Sequence, residues 1–132
     1  MTEYDICACR VGIAVVEDEK DLVKIYTKAF EKKGIKICYV AFDGLDAVKK
    51  YIECMPKPHT IIMDYRIPLM NGIDATKEIL RIDSNAKIIF LSADNSVREE
   101  AMRAGAFLFL QKPVSIKTIT DAVEGAICQN VM

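Results

Sequence analysis

Three carboxylates, one hydroxyl and one ammonium stand where short apolar runs of this sequence end. Val11 to Val16 runs into Glu17-Asp18-Glu19, and Thr60 to Met63 runs into Asp64. Lys87 to Leu91 is followed by Ser92-Ala93, and Ala106 to Leu110 leads to Lys112-Pro113. Oxygen ligands from Glu17, Asp18 and Asp64 suit a hard divalent cation such as Mg²⁺. With that cation in place, Lys112 can pair with a phosphoryl oxygen and Ser92 can donate a hydrogen bond to another. Such a set fits phosphoryl transfer, in which positioning and charge neutralisation carry most of the catalysis. Glycine-rich phosphate loops are missing. Neither G-x-G-x-x-G nor G-x-x-x-x-G-K-[ST] occurs, and Gly12 precedes the first apolar run instead of following it.

Taken singly, each residue has an ordinary alternative. Glu17 and Asp18 could cap a helix, Asp64 could form a turn, Ser92 could end a strand, and Lys112 could be a solvated loop lysine. Their common position, always after an apolar run and never before one, argues against four separate coincidences.

The elements that must position them follow from periodicity. Val11 to Val16 is β-branched and small, as in a strand buried on both faces. Leu22, Tyr26, Ala29 and Phe30 then recur at helical spacing, with Gly34 as the stop. Ile35 to Phe42 predicts a second strand. Asp43 is placed to cap a helix whose apolar residues are Leu45, Val48, Tyr51 and Ile52, ended by Pro56 and Pro58. Thr60 to Met63 predicts a third strand, and an irregular loop through Pro68 and Gly72 leads to a helix marked by Ile73, Ile79 and Leu80. After the fourth strand, Ser96-x-x-Glu99 has the form of a capping box for a helix ending at Gly105. The last strand leads to a helix capped by Ser115, with Ile116, Ile119, Val123 and Ile127 on its apolar face. Five β-α repeats predict an α/β domain with a parallel sheet and right-handed crossovers. Ligands in such sheets bind beyond the carboxyl ends of the strands, where the acids, the hydroxyl and the lysine stand.

Composition narrows the class. With 132 residues the chain fits one domain. Its 52% hydrophobic content and formal net charge of −1 exclude a disordered chain and argue against a nucleic-acid partner. No apolar run is long enough to span a bilayer, and Glu3 and Asp5 argue against a signal peptide. The odd set of cysteines, Cys7, Cys9, Cys38, Cys54 and Cys128, has no Cys-x-x-Cys pair, and His59 is the only histidine. Reduced thiols in a cytoplasmic protein are expected, with Cys7 and Cys9 in a loose N-terminal segment.

Four blocks resemble the receiver domain of two-component response regulators, in particular the stand-alone chemotaxis-regulator type. They are Val16-Glu17-Asp18-Glu19, Ile62 to Gly72 around Asp64, Leu91-Ser92-Ala93, and Phe109-Leu110-Gln111-Lys112-Pro113. The resemblance implies a flavodoxin-like doubly wound (βα)5 sheet of order 2-1-3-4-5, a receiver over residues 11–129, an extension at 1–10 and no output domain. Asp64 would be the phosphoacceptor. Mg²⁺ would be held by Asp18, Asp64 and the backbone carbonyl of Arg66, with Glu17 acting through water. Lys112 and Ser92 would contact the phosphoryl group, Ser92 and Phe109 would form the switch, and the Lys112–Pro113 bond would be cis. The implied donor is a sensor histidine kinase or phosphotransfer protein. The implied output is a separate effector protein reached through the helix 4–strand 5–helix 5 surface, and a phosphorylation-dependent homodimer is a further implied state.

Two residues depart from the commoner pattern. Glu17 stands where Asp is commoner, and Phe109 lacks the phenolic hydroxyl of a Tyr. Arg66 and Asp94, each two residues beyond a site residue, are expected to face each other across the acyl phosphate and limit water's access. The face bearing Lys20, Lys24 and Lys28 is a candidate kinase surface. A haloacid-dehalogenase-type phosphatase would place an Asp-x-Asp after strand one, where this chain has Glu17-Asp18-Glu19. A flavodoxin-like electron carrier would need a phosphate loop there. An intact set of acids, hydroxyl and lysine argues against a receiver reduced to protein binding alone.

Overall fold

The computed structural model describes residues 12–129. The expected extension at 1–10, with Cys7 and Cys9, lies outside the described residues. Five strands alternate with five helices: β1 Gly12–Val16, α1 Lys20–Lys32, β2 Lys36–Ala41, α2 Gly44–Glu53, β3 Thr60–Asp64, α3 Gly72–Ile82, β4 Lys87–Ser92, α4 Arg98–Ala104, β5 Leu108–Gln111 and α5 Ile116–Gln129. All neighbouring strands pair in parallel, in the order β2-β1-β3-β4-β5.

The period-2 alternation of buried strands sorts side chains into two cores. Ile13 and Val15 of β1, Ile62 of β3 and Ile89 and Leu91 of β4 meet α1 and α5 through Val23, Tyr26, Phe30, Ile119, Val123 and Ile127. Ala14, Val16, Ile61, Met63, Ile88 and Phe90 point the other way and meet Tyr51, Ile73, Ile79 and Ala101 of α2, α3 and α4. Both faces of β1, β3 and β4 are thus covered, which is why these strands read as unbroken apolar runs.

Three local expectations differ from the structure. The buried side of α2 is Gly44, Ala47 and Tyr51, while Leu45 and Ile52 are 50% and 58% exposed. The helix is apolar on more than one side, so spacing alone did not settle which side turns inward. In α1 the buried residues are Val23, Tyr26 and Phe30, with Leu22 only partly covered. The Ser96-x-x-Glu99 capping box does not form. A 3₁₀ turn at Asn95–Val97 comes first, and Asp94 caps it by accepting from the Ser96 N–H at 2.9 Å. Other caps are as expected: Asp43 accepts from Asp46 N–H at 2.7 Å, and Ser115 accepts from Thr118 N–H at 3.1 Å.

Two further features set the loops around the strand ends. A Cβ on Gly72 would sit 2.2 Å from the Asp64 backbone oxygen, so only glycine lets α3 begin directly against the end of β3. The Lys112–Pro113 bond is cis as expected, and Met55–Pro56 is cis as well.

Candidate functional site

Strand ends supply every side chain of the site. Glu17 follows the last residue of β1, and its N–H donates to the Ala41 carbonyl at 3.0 Å, which ties it to the end of β2. Its carboxylate is buried, 1% exposed for the residue, and accepts from Glu19 N–H at 3.2 Å. Asp18 is exposed. Asp64 is the last residue of β3 and is 6% exposed. Ser92 ends β4, buried, with its hydroxyl oxygen accepting from Asp94 N–H at 3.0 Å. The Lys112 N–H donates to the Ser92 carbonyl at 2.9 Å, so the lysine leaves β5 beside β4.

These ends meet in a cleft of about 270 Å³ lined by Glu17, Asp18, Glu19, Asp64, Arg66, Ser92, Ala93 and Lys112. One carboxylate oxygen from each of Glu17, Asp18 and Asp64 lies within 4.8 Å of the others. Lys112 Nζ reaches between two of them, 2.9 Å from Asp64 Oδ1 and 3.2 Å from Glu17 Oε1. Arg66 and Asp94 do meet at the cleft mouth, at 3.9 Å, with the Arg66 side chain 79% exposed.

The electrostatics are those of a crowded acidic pocket. Burial, followed by the charge of Asp64, raises the Glu17 pKa above the ordinary carboxylate range. Burial also raises that of Asp64, with Asp18 adding to it, and the hydrogen bond and charge of Lys112 only partly offset the rise. For Lys112, burial disfavours the ammonium, but Asp64 and then Glu17 outweigh burial and hold the lysine charged above its ordinary pKa. One ammonium thus faces three carboxylates, and the donors are all hard oxygens. This excess of charge, with room beside it, fits a divalent cation such as Mg²⁺.

Phe109 is 4% exposed and nearly parallel to Phe90, with ring centroids 6.0 Å apart. Two neighbours escaped sequence reading. The Arg98 guanidinium of α4 lies 5.6 Å from the Phe109 ring centroid. Tyr26 of α1, which spacing marked only as core, shares a second cleft with Glu19, Lys112 and Pro113, and burial raises its pKa to about 12. Neither contact has a local signal, because each depends on how a helix lies against the sheet.

The response regulator receiver domain family model matches residues 13–124. Chemotaxis protein CheY of Thermotoga maritima is 38% identical over 113 residues, covering 84% of this chain and 92% of that protein. Sporulation initiation phosphotransferase F of Bacillus subtilis is 30% identical over 114 residues, covering 85% and 90%. Among solved structures, the complex of CheX, CheY, BeF₃ and Mg²⁺ from Borrelia burgdorferi matches with a TM-score of 0.81 at 29% identity, covering 87% of each chain. The receiver domain of a Pseudomonas aeruginosa sensor histidine kinase, with Mg²⁺ coordinated in its active-site cleft, matches at 0.77 and 26%, covering 89% and 98%. By the extent of these matches and the order of its strands, this chain belongs to the response regulator receiver domains of two-component signalling.

Proposed function

We propose that this chain is a phosphorylation-activated switch that takes a phosphoryl group onto Asp64 from a phosphohistidine of a sensor histidine kinase or phosphotransfer protein. The observation that carries this reading is the Asp64 carboxylate at the cleft floor with Lys112 at 2.9 Å and two further acids beside it. An Asp64 oxygen attacks phosphorus, the P–N bond breaks, the imidazole nitrogen keeps the electron pair and takes a proton, and an acyl phosphate is left. Lys112 pairs with a phosphoryl oxygen, and the Ser92 hydroxyl turns toward another. Mg²⁺, held by Asp18, Asp64 and the Arg66 carbonyl with Glu17 acting through water, would neutralise charge on the carboxylates and the phosphoryl oxygens. The chain is a phosphoacceptor, not a turnover enzyme, beyond self-phosphorylation from small donors and autodephosphorylation.

Output follows from charge. The acyl phosphate adds about two negative charges beside Ser92. Movement of Ser92 toward them alters the space next to Phe109, and the α4–β5–α5 surface responds. A separate effector protein reads that surface in the cytoplasm. Among the described residues, no helix is long and apolar enough to cross a membrane. Lys20, Lys24 and Lys28 are all exposed on α1, which supports this helix as the donor-facing surface.

Incubation with Mg²⁺ and acetyl phosphate should give one phosphoryl adduct by intact mass, lost in Asp64→Asn and without Mg²⁺. An adduct that survives Asp64→Asn would refute the assignment. The Arg66–Asp94 pair is proposed to limit water's access to the acyl phosphate. Arg66→Ala and Asp94→Ala should therefore dephosphorylate faster than the parent in a phosphate-release time course, and unchanged rates in both would remove that role.

A further inference from the structure

A groove of about 600 Å³ lies between α1 and α5, outside the phosphoryl cleft. Its floor is apolar and is made by Ile25 and Ala29 of α1 and Ile116 of α5. Ile25 is 49% exposed and belongs to neither core. Lys33, the C-cap residue of α1, pairs with Glu124 of α5 at 3.2 Å and closes one end. Counting back equally along both helices from that pair brings Ile25 beside Ile116. The helices therefore run in parallel, and the groove extends about two turns, or about 12 Å.

The walls of the groove are basic. Lys28, Lys32, Lys33 and Lys117 stand around the floor, and no Asp or Glu lines it among the described residues. Lys33 is held by Glu124, and Lys117 by Asp121 at 2.8 Å. Lys28 and Lys32 are exposed, and neither forms an ion pair among the described residues. Ile25, Lys28, Ala29 and Lys32 share one side of α1 through their three- and four-residue spacing. On a chain of net charge −1, this side gathers positive charge around an exposed isoleucine.

An apolar floor of this length between two helices matches an amphipathic helix, which seats its apolar line in such a groove. Lysines on both walls favour acidic flanks on that helix. A second copy of the same groove would bring like charges together. A bilayer surface would require the apolar residues to stand out from the protein, whereas these lie between lysines in a recess.

We propose that the α1–α5 groove is a docking site for an acidic amphipathic helix of a partner protein. The apolar line of that helix lies on Ile25, Ala29 and Ile116. Its Asp and Glu side chains meet Lys28 and Lys32 on one wall. On the other wall they draw Lys117 from Asp121, an exposed pair of little strength. Lys32 is about 18 Å along α1 from Lys20, so the groove runs away from the phosphoryl cleft and its occupant is distinct from the phosphodonor.

The test uses the full chain and two synthetic amphipathic helices of equal length and leucine spacing, one flanked by Glu and the other by Lys. Fluorescence anisotropy gives the Kd, and amide shifts of the ¹⁵N-labelled chain give the location. The acidic peptide should bind, more weakly as salt rises, with shifts centred on Ile25, Ala29 and Ile116. The basic peptide should not bind. Ile25→Asp and Lys32→Glu should each weaken binding about tenfold. Both alter exposed side chains, and an unchanged far-UV circular dichroism spectrum separates lost docking from lost fold. Failure of the acidic peptide to bind, equal binding to both variants, or shifts elsewhere would overturn the proposal. So would self-association of the chain that Ile25→Asp abolishes, or sedimentation with phosphatidylcholine–phosphatidylglycerol vesicles that Ile25→Asp abolishes.

Discussion

At the residue scale, Asp64 is held in a form that costs the fold something. Burial and neighbouring acids raise its pKa, and Lys112 repays only part of that. A carboxyl whose pKa is raised on folding contributes most below its unfolded pKa and loses that contribution as pH rises through the folded value. Without divalent cations, Asp64→Asn should therefore be more stable than the parent at pH 7, with a higher Tm. The gap should close as pH falls toward 4, and millimolar Mg²⁺ should raise the Tm of the parent more than that of the variant. Thermal melts across pH with and without Mg²⁺ check all three expectations. A parent more stable than Asp64→Asn at pH 7 without cation would contradict the balance drawn between burial and Lys112.

At the element scale, α2 shows how a helix can be right while its orientation is undecided by pattern. Leu45, Val48 and Ile52 form one apolar line and Ala47 and Tyr51 another, and both have helical spacing. The structure buries the second. Tyr51 is 0% exposed and donates its hydroxyl to Asp83 at 3.0 Å, with Lys57 Nζ 4.9 Å from its ring centroid. Tyr51→Ala should cost about 3–5 kcal/mol in denaturant unfolding. Leu45→Gln and Ile52→Gln should each stay within about 0.5 kcal/mol. The opposite ranking would place the other line inside. The same lesson holds for α4. Ser96 and Glu99 carry the letters of a capping box, yet Asp94 is one turn better placed and takes the Ser96 N–H and hydroxyl for itself.

At the scale of the whole molecule, the cleft and the α4–β5–α5 side share β4 and β5. Ser92 ends β4 in the cleft, Phe109 of β5 stacks on Phe90 of β4, and Arg98 of α4 covers Phe109. Along these residues we propose the route from the phosphoryl position to α4. Addition of BeF₃⁻ with Mg²⁺ should slow amide exchange in the loops at 65–71 and 93–97 and change it in α4. In Ser92→Ala the loop protection should persist while the α4 change is lost. Exchange in α4 that responds equally in both proteins would sever the proposed route.

Much of this was legible in the residues themselves. Strand and helix periods, Asp43 and Ser115 as caps, and the placement of Glu17, Asp18, Asp64, Ser92 and Lys112 after apolar runs are local properties of the chain. So is the chemistry of hard oxygen donors beside an ammonium. What only the tertiary structure decided is everything that needs two distant segments in one register. It set Lys112 between Asp64 and Glu17, put Arg66 against Asp94, chose the inward side of α2, slid Arg98 over Phe109, and bulged β2 so that Tyr39 turns toward α2. Periodicity specifies which residues share a face. The packing of one face on another, and hence which charges and rings become neighbours, is a property of the assembled sheet and its helices.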